Sequence, residues 1–281
     1  MILVFGATGQ VARELQRQAD VIALNREQAD LMDPTACAEA IARYSPNLVI
    51  NAAAYTDSAA AETNEHVANI INGESPTMMA EACARQDVPL VHLSSDYVFD
   101  GAGEEPWQTG DQTGPLNAYG RSNVIGEEGI SAIGGRYIIL RVSWVFSSHG
   151  KNFVKTMLSL GQSRTEISVV SDQIGGPTSA SDIAAACLAM GAQVAKDPDL
   201  SGIEHYSGGP DVSWADFARE IFGQAKMDCK VVDIPTSAYP SPLTRPLNSR
   251  FDCSGLDKFG IERPSWRESL KSVMRELGAI R

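Results

Sequence analysis

Short apolar runs recur through the first ~145 residues, separated by stretches of helical periodicity. The runs Ile2–Phe5, Val21–Leu24, Leu48–Asn51, Leu90–Leu93 and Tyr137–Arg141 are apolar on both faces, as strands covered from both sides are. Their alternation with helices predicts parallel βαβ units. Right-handed crossovers then give an α/β fold with a doubly wound, Rossmann-like parallel sheet. Asp33-Pro34 and Ser75-Pro76 each place a capping residue before a proline and predict helix starts.

Beyond Trp144 the pattern loosens. A helix is expected after Asn152, a strand over Ile167–Val170 and a turn over Gln173–Thr178. An Ala-rich helix over Ser179–Val194 is expected to return to the first domain. Ile234–Ser249, rich in Pro and Ser, reads as an ordered surface loop, and an amphipathic helix runs from about Ser265 to Leu277. The expected organisation is a dinucleotide-binding domain of residues 1–150 plus about 172–196. A smaller C-terminal α+β substrate domain takes about 151–171 and 197–281.

Composition narrows the classes. A formal net charge of −12 over 281 residues argues against general nucleic-acid binding, which needs a basic surface. It leaves room for an anionic nucleotide held by backbone amides and a few arginines. No apolar run approaches the ~20 residues of a membrane span. The opening residues have no basic stretch or small-residue cleavage site, so no signal peptide is expected. Five cysteines without a paired spacing fit reduced thiols and a cytoplasmic location. The four histidines show no metal-ligand spacing.

Candidate chemistry begins at the first strand's end. In Gly6-Ala7-Thr8-Gly9-Gln10-Val11-Ala12, Gly6 permits a tight turn and Gly9 lets a pyrophosphate approach the backbone at a helix N-terminus. Ala12 packs helix on strand. Gln10 and Val11 open that helix and complete the diphosphate end of the site. The second strand ends at Asn25-Arg26, where an acidic residue would select NAD; Arg26 can instead pair with a 2′-phosphate. NADP(H) is therefore expected over NAD(H). Asp30 and Leu31 fall on the adenine side, and Ala52-Ala53-Ala54-Tyr55 forms a small-residue edge for the cofactor.

Beyond the fourth strand lie Ser94-Ser95-Asp96-Tyr97-Val98-Phe99-Asp100-Gly101, then Asn117-Ala118-Tyr119-Gly120-Arg121-Ser122-Asn123 opening a helix. Tyr119 and Asn123 share one helix face. These runs resemble the extended short-chain dehydrogenase/reductases, and within them the dTDP-4-dehydrorhamnose reductases. Gly126-Glu127, Ser143–Phe146, Asn152-Phe153, Asp172-Gln173, Gly176–Thr178, Arg245-Pro246 and Asn248–Arg250 extend the likeness over nearly the whole chain. The resemblance implies hydride delivery from NADPH to the 4-keto carbon of a dTDP-linked 6-deoxyhexose. Tyr119 is then the acid and Ser95 the hydrogen-bond donor to the carbonyl oxygen. Asp96, Tyr97, Trp144 and Asn152 line the sugar site, and Arg245 faces the diphosphate.

Two departures stand out. The resembled pattern is Tyr-x-x-x-Lys, and Asn123 occupies the lysine position. An adjacent cation moves a pKa by about 1–3 units, so a weakened reductase is expected. After Tyr55-Thr56, the run Ser58-Ala59-Ala60-Ala61-Glu62 lacks the family's valine and aspartate. Two alternatives follow from the resemblance: a non-catalytic NADP-binding regulatory subunit, favoured by Asn123, and a sugar-nucleotide epimerase with bound NAD. Some members dimerise through a carboxylate-bound divalent cation; no such ligands are assigned here. The C-terminal helix suits either a homodimer interface or a core-facing role.

Overall fold

Leu3 and Phe5 of the first strand face one side of a sheet and Val4 the other, and all three are fully buried. In the computed structural model, which describes residues 1–281, β1 (Ile2–Phe5), β2 (Val21–Leu24), β3 (Leu48–Asn51), β4 (Leu90–Ser95) and β5 (Tyr137–Val142) are all parallel. The strand Gly202–Tyr206 pairs with β5 and completes six strands in the order β2-β1-β3-β4-β5-(202–206). The chain reverses direction across the sheet between β1 and β3, and clefts form there at the strands' carboxyl ends.

Helices cover both faces. α1 (Gln10–Gln18) and the Ala-rich helix Ala180–Val194 bury Leu15, Ile183 and Met190 against Val4 and Ile50. α2 (Pro34–Tyr44) packs on the other face, where Asp33 caps it through the Ala36 N–H at 3.1 Å. Ile41 there meets Met79 and Ile130 of two further helices. A third core, built on Phe146, Val154, Phe217, Ile221, Trp266 and Leu270, belongs to the smaller lobe. No helix is long and apolar enough to cross a membrane.

Several expectations need correction. The chain does not start a helix at Ser75-Pro76. After α3 (Ser58–Ala61) and a short turn, α4 (Glu65–Asn69), a π-helical turn Ile70–Glu74 and α5 (Ser75–Arg85) run on unbroken, and Ser75 lies inside that run. The Ser75 hydroxyl donates to the Leu31 carbonyl at 2.6 Å instead of capping. The wide turn before Pro76 accommodates a ring that an α-helical turn would press against the preceding carbonyls. Residues 197–281, expected in the smaller lobe throughout, send Gly202–Tyr206 back to the sheet. Glu204 and His205 masked that strand: both are buried, Glu204 paired with Lys258 and His205 bonded to the Trp107 carbonyl. Gln173–Thr178 is more than a turn, because Ile174–Gly175 pairs with both Val212–Ser213 and Asn248–Ser249. Asn248 and Ser249, at the end of the expected surface loop, are consequently buried.

α6 (Ala118–Ile133) is fastened to the sheet by a buried ion pair. Arg141 of β5 meets Glu127 through Nε and Nη2, at 2.9 and 2.6 Å, with both side chains under 5% exposed. Ser94 donates to the same carboxylate at 2.5 Å. Removing one partner of such a pair strands a buried charge, which costs about 3–5 kcal/mol. Arg141→Met is expected to lower the unfolding free energy by about that amount in a urea titration, and adding Glu127→Leu should recover most of it. A double variant as unstable as the single would place the cost in packing instead.

Candidate active site

The carboxyl ends of β1, β3, β4 and β5 open into one cleft of about 1130 Å³. Gly6 turns the chain out of β1 with φ of +96°, and a Cβ there would sit 3.2–3.3 Å from Ala52 and Ala53. Glycine is thus required by both conformation and space. Gly9 opens α1 with no side chain capping its first N–H groups. Those donors and the helix dipole form a cradle for a diphosphate. Asn25 accepts from the Glu27 and Gln28 N–H groups at 3.0 and 3.1 Å, a tight turn that carries Arg26 at the exposed rim of the cleft. The edge after β3 is set from below. Buried His92 meets the Asn51 carboxamide at 3.1 Å, and Asn51 accepts from the Ala53 N–H at 3.2 Å. Burial pushes the His92 imidazole down to about 4, so it is neutral.

Every expected cofactor residue up to Tyr55 lines this cleft: Gly6, Gly9, Gln10, Val11, Arg26, Asp30, Leu31 and Ala52 to Tyr55. Ser95, Asp96, Tyr97, Tyr119 and Trp144 line it too. Tyr119 reaches its place because α6 approaches β4 closely. A Cβ on Gly120 would fall 2.1 Å from the Tyr97 carbonyl oxygen, so only glycine allows this contact. Asn117 caps the helix through the Gly120 N–H at 2.9 Å, and Glu62 accepts from the Ala118 N–H at 2.7 Å. Glu62 closes the run that departs from the resembled pattern, so that segment still anchors the start of α6.

The Tyr119 ring stands edge-on to Tyr97, with centroids 5.4 Å apart. Burial pushes the Tyr119 hydroxyl up to about 12, more than its Ser95 and Asn123 neighbours lower it. Tyr119 is therefore a neutral phenol at physiological pH. Ser95 donates to Asp96 at 3.1 Å, and Ser249 donates to the other carboxylate oxygen at 2.6 Å. Burial nevertheless raises Asp96 to about 6.

Three expected residues sit outside the cleft wall. Asn123 is buried, and its carboxamide donates to the Tyr119 carbonyl at 2.8 Å. Asn152, expected at the sugar site, does not line the cleft. It caps the helix Phe153–Gly161 through the Lys155 N–H, and its amide nitrogen is spent on Gln10, Ser147 and His149. An asparagine before a helix satisfies the cap and the loop together, which explains the residue type without a ligand. Arg245 stands behind the wall and donates to the Tyr97 hydroxyl at 3.1 Å.

Sequence reasoning missed Trp214, which stacks on Trp144 at 3.7 Å and 9° and lines the cleft. It opens a helix that Ser213 caps, and no motif surrounds it. Lys151, Gln173 and Ser249 also face the cleft. Ser249 belongs to the Asn248–Arg250 run, which was the available signal.

Residues 1–279 match the family model described as the RmlD substrate binding domain. The dTDP-4-dehydrorhamnose reductase of Sinorhizobium fredii is 39% identical, over 97% of this chain and 96% of its own. That of Burkholderia thailandensis is 40% identical over 98% of both. A dTDP-4-dehydrorhamnose reductase structure from Bacillus anthracis, in complex with NADP, superposes with a TM-score of 0.92 at 32% identity and 98% coverage of both chains. One from Clostridium acetobutylicum gives 0.92 at 35% identity and 99% coverage. The chain belongs to the RmlD family, that of the dTDP-4-dehydrorhamnose reductases.

Proposed function

We propose that this chain reduces the 4-keto group of dTDP-4-dehydro-L-rhamnose to dTDP-L-rhamnose with NADPH. The observation that carries the reading is the convergence of Ser95 and a neutral Tyr119 on the cleft that the Gly6–Gly9 turn opens. The uncapped α1 terminus and the Gly6 turn fit a dinucleotide diphosphate, and Arg26 fits a 2′-phosphate. When bound, NADPH supplies the hydride. The chain's own residues handle the proton. Tyr119 donates its phenolic proton to the carbonyl oxygen, and Ser95 hydrogen-bonds that oxygen as negative charge develops on it. The Trp144–Trp214 stack, Asp96 and Tyr97 shape the sugar end, and Arg245 braces Tyr97 from behind. The sheet lobe takes the cofactor and the smaller lobe the sugar nucleotide.

Asn123 contributes no charge to this chemistry. A lysine there would favour the tyrosinate and so strengthen Tyr119 as an acid. With dTDP-4-dehydro-L-rhamnose, NADPH consumption followed at the nicotinamide absorbance band is expected in the parent protein. Asn123→Lys should raise kcat on the order of tenfold or more, and Tyr119→Phe should lower it by about 10²–10⁴-fold. NADPH binding without turnover in the parent, unrescued by Asn123→Lys, would instead support a cofactor-binding regulatory protein.

Cofactor choice is tested separately. Arg26→Ala is expected to raise KM for NADPH about tenfold, the loss of one charge-assisted contact, and to leave KM for NADH unchanged. Equal changes for both cofactors would remove Arg26 from 2′-phosphate recognition.

A further inference from the structure

Trp144 is the one residue of the cleft, glycines aside, whose backbone is strained. Its φ is +49°, in the left-handed region that bulky residues rarely enter. Such a conformation persists only where the surroundings over-determine it, and it gathers at ligand sites. The strained residue falls between β5 and the short strand Val145–Phe146. Its backbone is tied on both sides to one segment. Ser143 donates to the Gly176 carbonyl at 2.8 Å, and the Trp144 carbonyl accepts from the Thr178 N–H at 3.2 Å. Those bonds hold the chain, but they do not aim the ring.

The ring is aimed by Trp214, which lies against it with centroids 3.7 Å apart and planes 9° from parallel. Free aromatic pairs prefer an offset or edge-to-face arrangement, so the surroundings impose this one. The three-stranded sheet of Val212–Ser213, Ile174–Gly175 and Asn248–Ser249 supplies both of its conditions. Trp214 follows the first of these strands directly and opens a helix that Ser213 caps through the Asp216 N–H at 2.9 Å. Gly175 leaves room for the indole, because a Cβ there would fall 3.0 Å from Trp144 Cε2. Phe153 packs on Trp214 at 4.5 Å and 52° and gives it a second support. We propose that Trp214 is the positioning residue of the sugar site: it holds the Trp144 ring in place, and the ring so held is the wall that orients the substrate's sugar. The proposal rests on the reductase reading above. Displacing such a wall costs alignment of the sugar, while the dinucleotide cradle, built on β1 and α1, is left as it was.

Of the four tryptophans, only Trp144 and Trp214 stack on each other; Trp107 and Trp266 pack on phenylalanines. An exciton couplet in the ultraviolet circular dichroism therefore reports this pair. The parent should show the couplet and keep it when NADPH and dTDP-L-rhamnose are bound. Trp214→Leu should lower kcat/KM for dTDP-4-dehydro-L-rhamnose by about 10–100-fold and leave the Kd of NADPH unchanged. Trp214→Phe, which keeps a flat ring, should restore most of the loss. In a Trp144→Ala background, Trp214→Leu should cost nothing further, because its effect runs through the ring already removed. A couplet that collapses when dTDP-L-rhamnose binds overturns the proposal, and this test on the parent decides even where Trp214→Leu does not fold. Losses at the two positions that simply add, or a Trp214→Leu variant with the parent's kcat/KM, overturn it as well. A parent that binds NADPH without turning over overturns the reductase reading itself, and is recognised by failing before any variant is compared.

Discussion

The position of α6, the helix that carries Tyr119, depends on one buried ion pair. Glu127 and Arg141 tie α6 to β5 through the guanidinium's Nε and Nη2, and Ser94 completes the carboxylate's bonding. A buried pair of this kind adds little net stability over an apolar replacement, because desolvation offsets attraction. Its geometry is what matters here. Ser94 precedes Ser95, and Glu127 lies two turns beyond Tyr119 on the same helix. A helix that slid by one turn would break all three contacts together and separate Tyr119 from Ser95. Gly120 against the Tyr97 carbonyl then sets how near the helix comes. Register and distance are fixed by different residues, and the site needs both.

The same economy explains how so acidic a chain suits a ligand as anionic as a dinucleotide. Net charge of −12 belongs to the chain as a whole, whereas the cleft gathers the free N–H groups of α1 and places Arg26 and Lys151 at its wall. Local donors act over a few ångströms, while surface charges beyond about 8–10 Å are largely screened at physiological salt. Overall acidity therefore disfavours extended polyanions without opposing a dinucleotide.

The legible parts of the sequence were those in which local chemistry dictates geometry. The Gly6–Gly9 turn, the buried apolar strands and the Tyr119-Gly120 helix start all depend on near neighbours, and the cleft contains them. The strand Gly202–Tyr206 was hidden because Glu204 and His205 look like surface residues until Lys258 and Trp107 arrive from distant segments. Trp214 was hidden for the same reason: its stacking on Trp144 links residues 70 apart in the chain. Asn152 misled in the opposite sense. Its residue type suits a ligand, but the structure spends it on a helix cap and a loop. Ser75-Pro76 carried a sound local signal that a π-helical turn overrode.

Asn123 looks like a defect when the site is judged by charge. Yet reduction calls for a phenol that carries its proton, and burial alone keeps Tyr119 in that form. What a cation would add is acidity at the moment of transfer. A lysine at position 123 would favour tyrosinate. The uncharged carboxamide, bonded to the Tyr119 carbonyl, therefore leaves the phenol its proton and forgoes only the help a charge would lend as that proton is transferred.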